Sequence, residues 1–309
     1  MGRRISLALA VVAAALCAVV AAAWLSTPPV GSLRAHVQAR LAGTSGRTTP
    51  LAAEAPILRD AVVATEDERF YRHDGVDLIG VLRAIPYDAV HLSFAQGAST
   101  ITEQVAKVLY LGGNDHTPWR KLEDAMLALK LEGRYSKEQI LAAYLDTAYL
   151  GSGAYGMRAA SERYFGVPPA RLDIAQASLL AGLIQAPSAY DPVRHPQLAR
   201  ARQVDVMRSL VREGYATEDE AAAALARPLR LRGGETLAPA TGVSFEPGPA
   251  FVWWELALGA AVVLLGITAL VASRLPRLRL VHGVVALRFA TLLVVVIGAA
   301  AVLRSFRTA

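Results

Sequence analysis

The sequence predicts a mostly α-helical protein, with one helical globular domain carried among apolar, membrane-crossing segments, and three observations predict it. Of the 309 residues 54% are hydrophobic and 19% charged, and the mean hydropathy is +0.35, too apolar for an ordinary soluble domain of this size. Uncharged runs near both ends carry the excess. Between them Ala, Leu, Arg and Glu dominate, apolar residues recur at spacings of three and four, and alternating strand patterns are scarce. Cys17 is the single cysteine, which excludes an internal disulfide framework and a Cys-rich zinc site. The net charge of +6 suits a partner bearing phosphate, whether nucleic acid, anionic lipid or a diphosphate substrate, without choosing among them.

Residues 1–25 read as an N-terminal transmembrane anchor. Ile5 to Leu25 carry no charge behind Arg3 and Arg4, and a helix of that length just crosses a hydrocarbon layer of about 30 Å. With both arginines inside, the following chain is delivered outside. A cleaved signal peptide is the rival, with Ala21-Ala22-Ala23 as the small-residue site, but the apolar run exceeds the usual length of about 7 to 15 residues. Cys17 lies in mid-span as a small apolar filler. Residues 26–54, with Pro28-Pro29 and Gly43 to Gly46, form a juxtamembrane linker. Residues 55–232 form the helical domain and 233–250, rich in Gly and Pro, a second linker. A transmembrane helix is expected at 251–273, opened by the interfacial pair Trp253-Trp254, and a further one at 281–303 in spite of Arg288. Arg274, Arg277 and Arg279 between them fit a cytoplasmic loop.

Three clusters in the helical domain carry chemistry. In the first, Glu66 closes a helix whose approach, Ala61 to Ala64, is apolar enough to desolvate it and make it a general base. Phe70 falls four residues later on the same face, and His73 and Gly75 mark an exit into a turn. In the second, Gln96 to Lys107, small and hydroxylated residues precede a helix. Its free N–H groups and the Ser99 and Thr100 hydroxyls can hold phosphate or sugar oxygens, while an ordinary capping box of Thr100 or Ser99 with Glu103 is the plainer reading. The third runs from Arg120 to Glu132. Arg120, Lys121 and Asp124 share one face, while Leu122, Met126 and Leu129 take the apolar one. Such a cluster is either a salt-bridged surface or a clamp for a diphosphate leaving group. No serine opens a Ser-x-x-Lys motif, so a serine acyl-enzyme is unsupported. Tyr144, with Ile140, Leu141 and Leu145, reads as a packed stripe.

In this order and spacing the clusters, with Gly151 to Gly156, Tyr164-Phe165-Gly166 and Gln185 to Pro192, resemble the peptidoglycan glycosyltransferase domain of glycosyltransferase family 51. That domain occurs in class A penicillin-binding proteins and monofunctional transglycosylases. The resemblance covers about Ala55 to Met207 and implies a mostly α, lysozyme-like catalytic lobe with a small membrane-associated lobe, here Leu78 to Ala95. It implies an enzyme that polymerises lipid II into β-1,4-linked glycan with inversion and releases undecaprenyl pyrophosphate. Carried over by position, Glu66 and Asp124 are the catalytic acids. Asp67, Phe70, His73, Ser99, Thr100, Gln104, Lys107, Arg120 and Lys121 bind substrate or shape its site.

By the same resemblance the partners are lipid II, the growing glycan strand, membrane lipid and membrane proteins of cell-wall synthesis. The location is the extracytoplasmic face of a bacterial cytoplasmic membrane. No metal ligand set is evident in the sequence, although a divalent cation, Mg or Mn, could screen a diphosphate. Nucleic acid is disfavoured, because the arginines are scattered without interleaved aromatics. Three positions depart from the family pattern: Asp124 and Gln176 stand where glutamate is usual, and Asp146 where asparagine is usual. No transpeptidase segment follows, so polymerisation without cross-linking is expected. A degenerate membrane scaffold and a glycan-cleaving enzyme are the competing readings.

Overall fold

A computed structural model describes residues 2–81, 99–112 and 117–245, with side chains from Ala10 onward. The chain divides into two compact units, Met1–Asp77 with Ser99–Pro247, and Leu78–Ala98 with Gly248–Ala309. Of the second unit only residues 78–81 are described, a short helical stretch in which Leu78 and Ile79 are exposed. The remainder of the expected small lobe and the expected spans at 251–273 and 281–303 lie outside the described residues.

In the first unit α1 (Gly2–Ser26) is the longest helix. Among the described residues no helix is long and apolar enough to cross a membrane. Next comes α2 (Leu33–Leu41), which Ser32 caps by accepting from the Ala35 N–H. The expected loose linker is therefore partly helical, because Leu33, Val37 and Leu41 fall four apart on one face and all three are buried in the core.

Helix α3 (Pro56–Glu66) begins with proline at its first turn, where no N–H is needed, and buries Leu58, Ala61, Val62, Val63 and Ala64. It ends at Glu66, so Phe70 is not on a continuing helix. Phe70 lies in a 3₁₀ turn, Phe70–Arg72, and is wholly buried.

Helix α4 (Ile101–Ala106) runs into a π-turn, Lys107–Leu111. Helix α5 (Pro118–Glu132) is capped by Thr117, and α6 (Lys137–Thr147) by a capping box of Ser136 and Gln139. After α7 (Gly156–Tyr164), the box Asp173/Gln176 opens α8 (Ile174–Leu183). Gln176 makes the reciprocal bond that a glutamate would make there, accepting from the Asp173 N–H at 3.2 Å. Helices α9 (Pro196–Arg212) and α10 (Glu218–Leu225) are the last helices among the described residues.

A hairpin of β1 (Leu229–Arg230) and β2 (Thr236–Leu237) follows, antiparallel, with Leu229 opposite Leu237. It extends into the stretch read as the second linker. Leu237 is fully buried, which ties that stretch to a satellite core of Leu179, Ala199, Leu229 and Leu231.

The main core is continuous. Helices α3, α8 and α9 pack on one another, α4 lies against α5 and α6, and Leu58, Phe70, Ile101, Leu127, Leu131, Ile140, Leu141 and Met157 fill the space between. The buried side of α5 is Asp124, Leu127, Ala128 and Leu131 with Met126. Leu129 is exposed, which corrects its assignment to the apolar face. The shift follows from α5 having α4 and α6 on one side and α1 on another, so two stripes of the helix are covered rather than one.

Candidate active site

The site is built where α3 ends against α4. Asp67, the residue after α3, turns the chain and is buried with His73. His73 Nε2 donates to both oxygens of Asp67, at 3.0 and 3.1 Å, and the Gly75 N–H donates to His73 Nδ1 at 3.2 Å, which fixes the tautomer. Asp67 Oδ2 also accepts the Ile101 N–H at 3.0 Å, joining the first cluster to the first turn of α4.

Thr100 donates to the Gly75 carbonyl at 2.6 Å and exchanges capping bonds with Glu103. The Thr100 hydroxyl and the Thr100, Ile101 and Glu103 N–H groups thus bond within the protein, and Thr100 ties α4 to the first cluster. Gly75 is required here. Its φ is +94°, and a Cβ would stand 2.8 Å from the Ala128 carbonyl on α5.

With α4 held in this way, Gln104 faces Glu66. Gln104 Nε2 donates to Glu66 Oε2 at 2.9 Å, and the Tyr144 hydroxyl donates to Gln104 Oε1 at 2.9 Å, with Glu66 Oε2 3.4 Å away. Tyr144 therefore orients the amide so that its NH₂ points at the acid. Burial pushes the Glu66 carboxyl above the ordinary range, against the pull of the Gln104 bond, the Arg202 charge and the Tyr144 hydroxyl. Burial and the neighbouring Glu66 hold the Tyr144 hydroxyl far above its ordinary value, so it stays a donor. Sequence reasoning placed Tyr144 in a packed stripe and did not single out Arg202. Their signal lies in the packing of α6 and α9, not in any local motif.

One turn beyond Gln104, Lys107 begins the cationic part. Lys121 Nζ donates to Glu103 Oε2 at 2.7 Å and to Ser99 Oγ at 2.8 Å. Arg120 donates to the Gly112 carbonyl and stands 3.7 Å from Asp124 Oδ1, too far for a hydrogen bond. Arg120 Nε and Asp124 Oδ1 are buried without a hydrogen-bond partner among the described residues. Burial raises the Asp124 carboxyl, while Lys121, Arg120 and Lys107 draw it down. All three expected cations thus act on one buried carboxylate.

Phe70 packs beneath, with its ring 6.4 Å from that of His73 and the Lys137 ammonium 4.4 Å over its face. Among the described residues no group of three or more His, Cys, Asp or Glu side chains could hold a metal ion.

The described residues thus hold a desolvated acid at the end of α3, bonded by Gln104 of α4, and a second buried acid, Asp124 of α5, among cations. The chain belongs to the transglycosylase family, whose model matches residues 35–211. Over 177 residues it is 47% identical to a protein of Cupriavidus necator named as a transglycosylase, a match covering 57% of this chain and 75% of that one. It is 45% identical over 161 residues to penicillin-binding protein 1A of Neisseria lactamica, covering 52% of this chain and 20% of that one. With penicillin-binding protein 1A of Aquifex aeolicus the identity is 38% over 210 residues, covering 67% and 29%. The chain thus spans three quarters of the first relative and less than a third of the other two. The crystal structure of penicillin-binding protein 1A from Haemophilus influenzae overlaps 61% of this chain and 19% of that one at 23% identity, with a TM-score of 0.37.

Proposed function

We propose that the protein is a peptidoglycan glycosyltransferase held at the outer face of a bacterial cytoplasmic membrane by α1, and that it polymerises lipid II. The observation that carries the reading is Glu66, a carboxylate with a raised pKa, hydrogen-bonded by Gln104 on the same short helix that leads to Lys107 and the Asp124 cluster. Glu66 takes the proton from the 4-hydroxyl of the acceptor GlcNAc as that oxygen attacks the anomeric carbon of the MurNAc at the end of the growing chain. The bond to the polyprenyl diphosphate breaks with inversion, and Lys107, Arg120 and Lys121 supply positive charge where negative charge develops. Asp124 orients that cation set.

Anchoring suits the reaction, since both reactants are confined to the bilayer surface and sharing that plane raises their effective concentration. The uncharged run Ile5 to Leu25 supports the anchor.

The test is full-length protein in phospholipid vesicles with labelled lipid II. Polymer with released polyprenyl pyrophosphate is the expected product. Cleavage of preformed glycan would favour a lytic enzyme, and neither activity would favour a scaffold. Glu66→Gln, isosteric and unable to accept the proton, is expected to abolish polymerisation with the far-ultraviolet circular dichroism unchanged. Undiminished polymerisation in that variant would remove Glu66 from the mechanism.

A further inference from the structure

Helix α5 has a second stripe that the chemistry does not use. Trp119, Glu123, Met126 and Lys130 recur at spacings of four, three and four, on one side of the helix next to Arg120 and Asp124. This stripe grips the end of α1. Glu123 Oε1 accepts from Ser26 Oγ and from Trp119 Nε1, each at 3.0 Å. Lys130 Nζ donates to the carbonyls of Trp24 and Thr27, at 2.8 and 3.0 Å, and to Thr27 Oγ1 at 2.8 Å, and lies 4.8 Å over the Trp24 ring. All three ammonium donors are therefore spent on the last turn of α1 and on Thr27 just after it, at the negative end of that helix's dipole.

The grip continues beyond α1. Arg134 donates to the Val30 carbonyl at 2.7 Å, Tyr135 donates to the Gly31 carbonyl at 2.6 Å, and the Leu33 N–H donates to the Tyr135 hydroxyl at 2.9 Å. From Trp24 to Leu33 the chain is fastened along α5 and its C-terminal end. A free linker of six residues, as between α1 and α2, would let its ends wander over about 13 Å. Group transfer tolerates misplacement of only about 1 Å before rates fall on the order of a hundredfold.

We infer that Lys130, with Glu123 and Trp119, splices α1 rigidly to α5 and so fixes the height of the Arg120, Lys121 and Asp124 face above the bilayer. Lys130 is a positioning residue, acting through α5 on where the diphosphate is met and not on the bond that breaks. The inference rests on the proposed role of α1 as a membrane anchor.

The test uses full-length protein in phosphatidylethanolamine–phosphatidylglycerol vesicles, spin-labelled at the native Cys17 and at Glu138→Cys, an exposed site on α6. Pulsed dipolar spectroscopy is expected to give one narrow distance distribution. In Lys130→Met that distribution broadens, and polymerisation of lipid II in vesicles falls on the order of tenfold. The same variant in detergent, where no bilayer sets a height, keeps its kcat within about twofold, and Lys130→Arg restores the vesicle rate. An unchanged distribution and rate in vesicles overturns the inference, and so does an equal loss in detergent, which marks Lys130 as merely structural. Flotation with vesicles separates the two readings. Protein that does not float refutes the anchor and the splice's function with it, while protein that floats with Lys130→Met unaffected refutes the splice alone.

Discussion

Asp146→Asn is expected to stabilise the protein above neutral pH and to do little below pH 4. Asp146 closes α6 and is buried, with the Thr49 N–H donating to its Oδ1 at 2.8 Å. Its companion is Glu54, equally buried, whose Oε2 has no hydrogen-bond partner among the described residues. Burial pushes the Asp146 carboxyl from 3.8 to about 7. Burial and then the charge of Asp146 push Glu54 to about 7 as well.

Between about pH 4 and 7 the folded state therefore holds protons that the unfolded chain has lost, so stability falls as pH rises through that window. At about 1.4 kcal/mol per unit, a shift of about three units sets a ceiling of about 4 kcal/mol. Relaxation and water entry around the charged form bring the expected gain from Asn to about 2 kcal/mol at pH 8. The asparagine carbonyl keeps the Thr49 bond while removing the charge facing Glu54. Urea unfolding of wild type and variant in detergent at pH 4, 6 and 8 measures it. A stability difference that is the same at all three pH values would refute the linkage.

Two further outcomes follow from the site. Tyr144→Phe removes the donor that orients Gln104 and one hydrogen bond that holds the Glu66 pKa down, so the acid limb of kcat/KM moves to higher pH and kcat falls by about tenfold. A limb at the wild-type position would show that Tyr144 only packs. Asp124→Glu adds the methylene that lets the carboxylate close the 3.7 Å gap to Arg120 Nε, pairing two buried atoms that now lack partners. It is expected to raise stability by about 1 kcal/mol with polymerisation retained; a loss of activity in the lipid II assay beyond about tenfold would mean that the shorter acid is the one this site is built around.

Much of the architecture is written locally. The capping boxes Thr100/Glu103, Ser136/Gln139, Asp173/Gln176 and Thr217/Glu220 each involve residues three apart, and the apolar spacing of α3 and α6 is readable in any short window. Glu66, Gln104, Lys107, Arg120, Lys121 and Asp124 stand out in the sequence as site candidates because they sit in ordered clusters that resemble a known family. The helix Leu33–Leu41 is hard to read in the sequence because its polar face and nearby Pro and Gly mask a three-residue apolar stripe. The hairpin was missed because each strand has only two residues, too few to alternate.

The sequence alone determined that the protein is helical and where capping residues three apart start α4, α6, α8 and α10, because these depend on neighbours a few residues apart. Only the tertiary structure decided that Tyr144, 78 residues beyond Glu66, turns a glutamine toward it, and that Lys130 reaches back 106 residues to hold the end of α1. A periodic pattern tells which side of a helix is covered, but not what covers it. That choice is made by side chains from distant segments competing for the same buried hydrogen bonds.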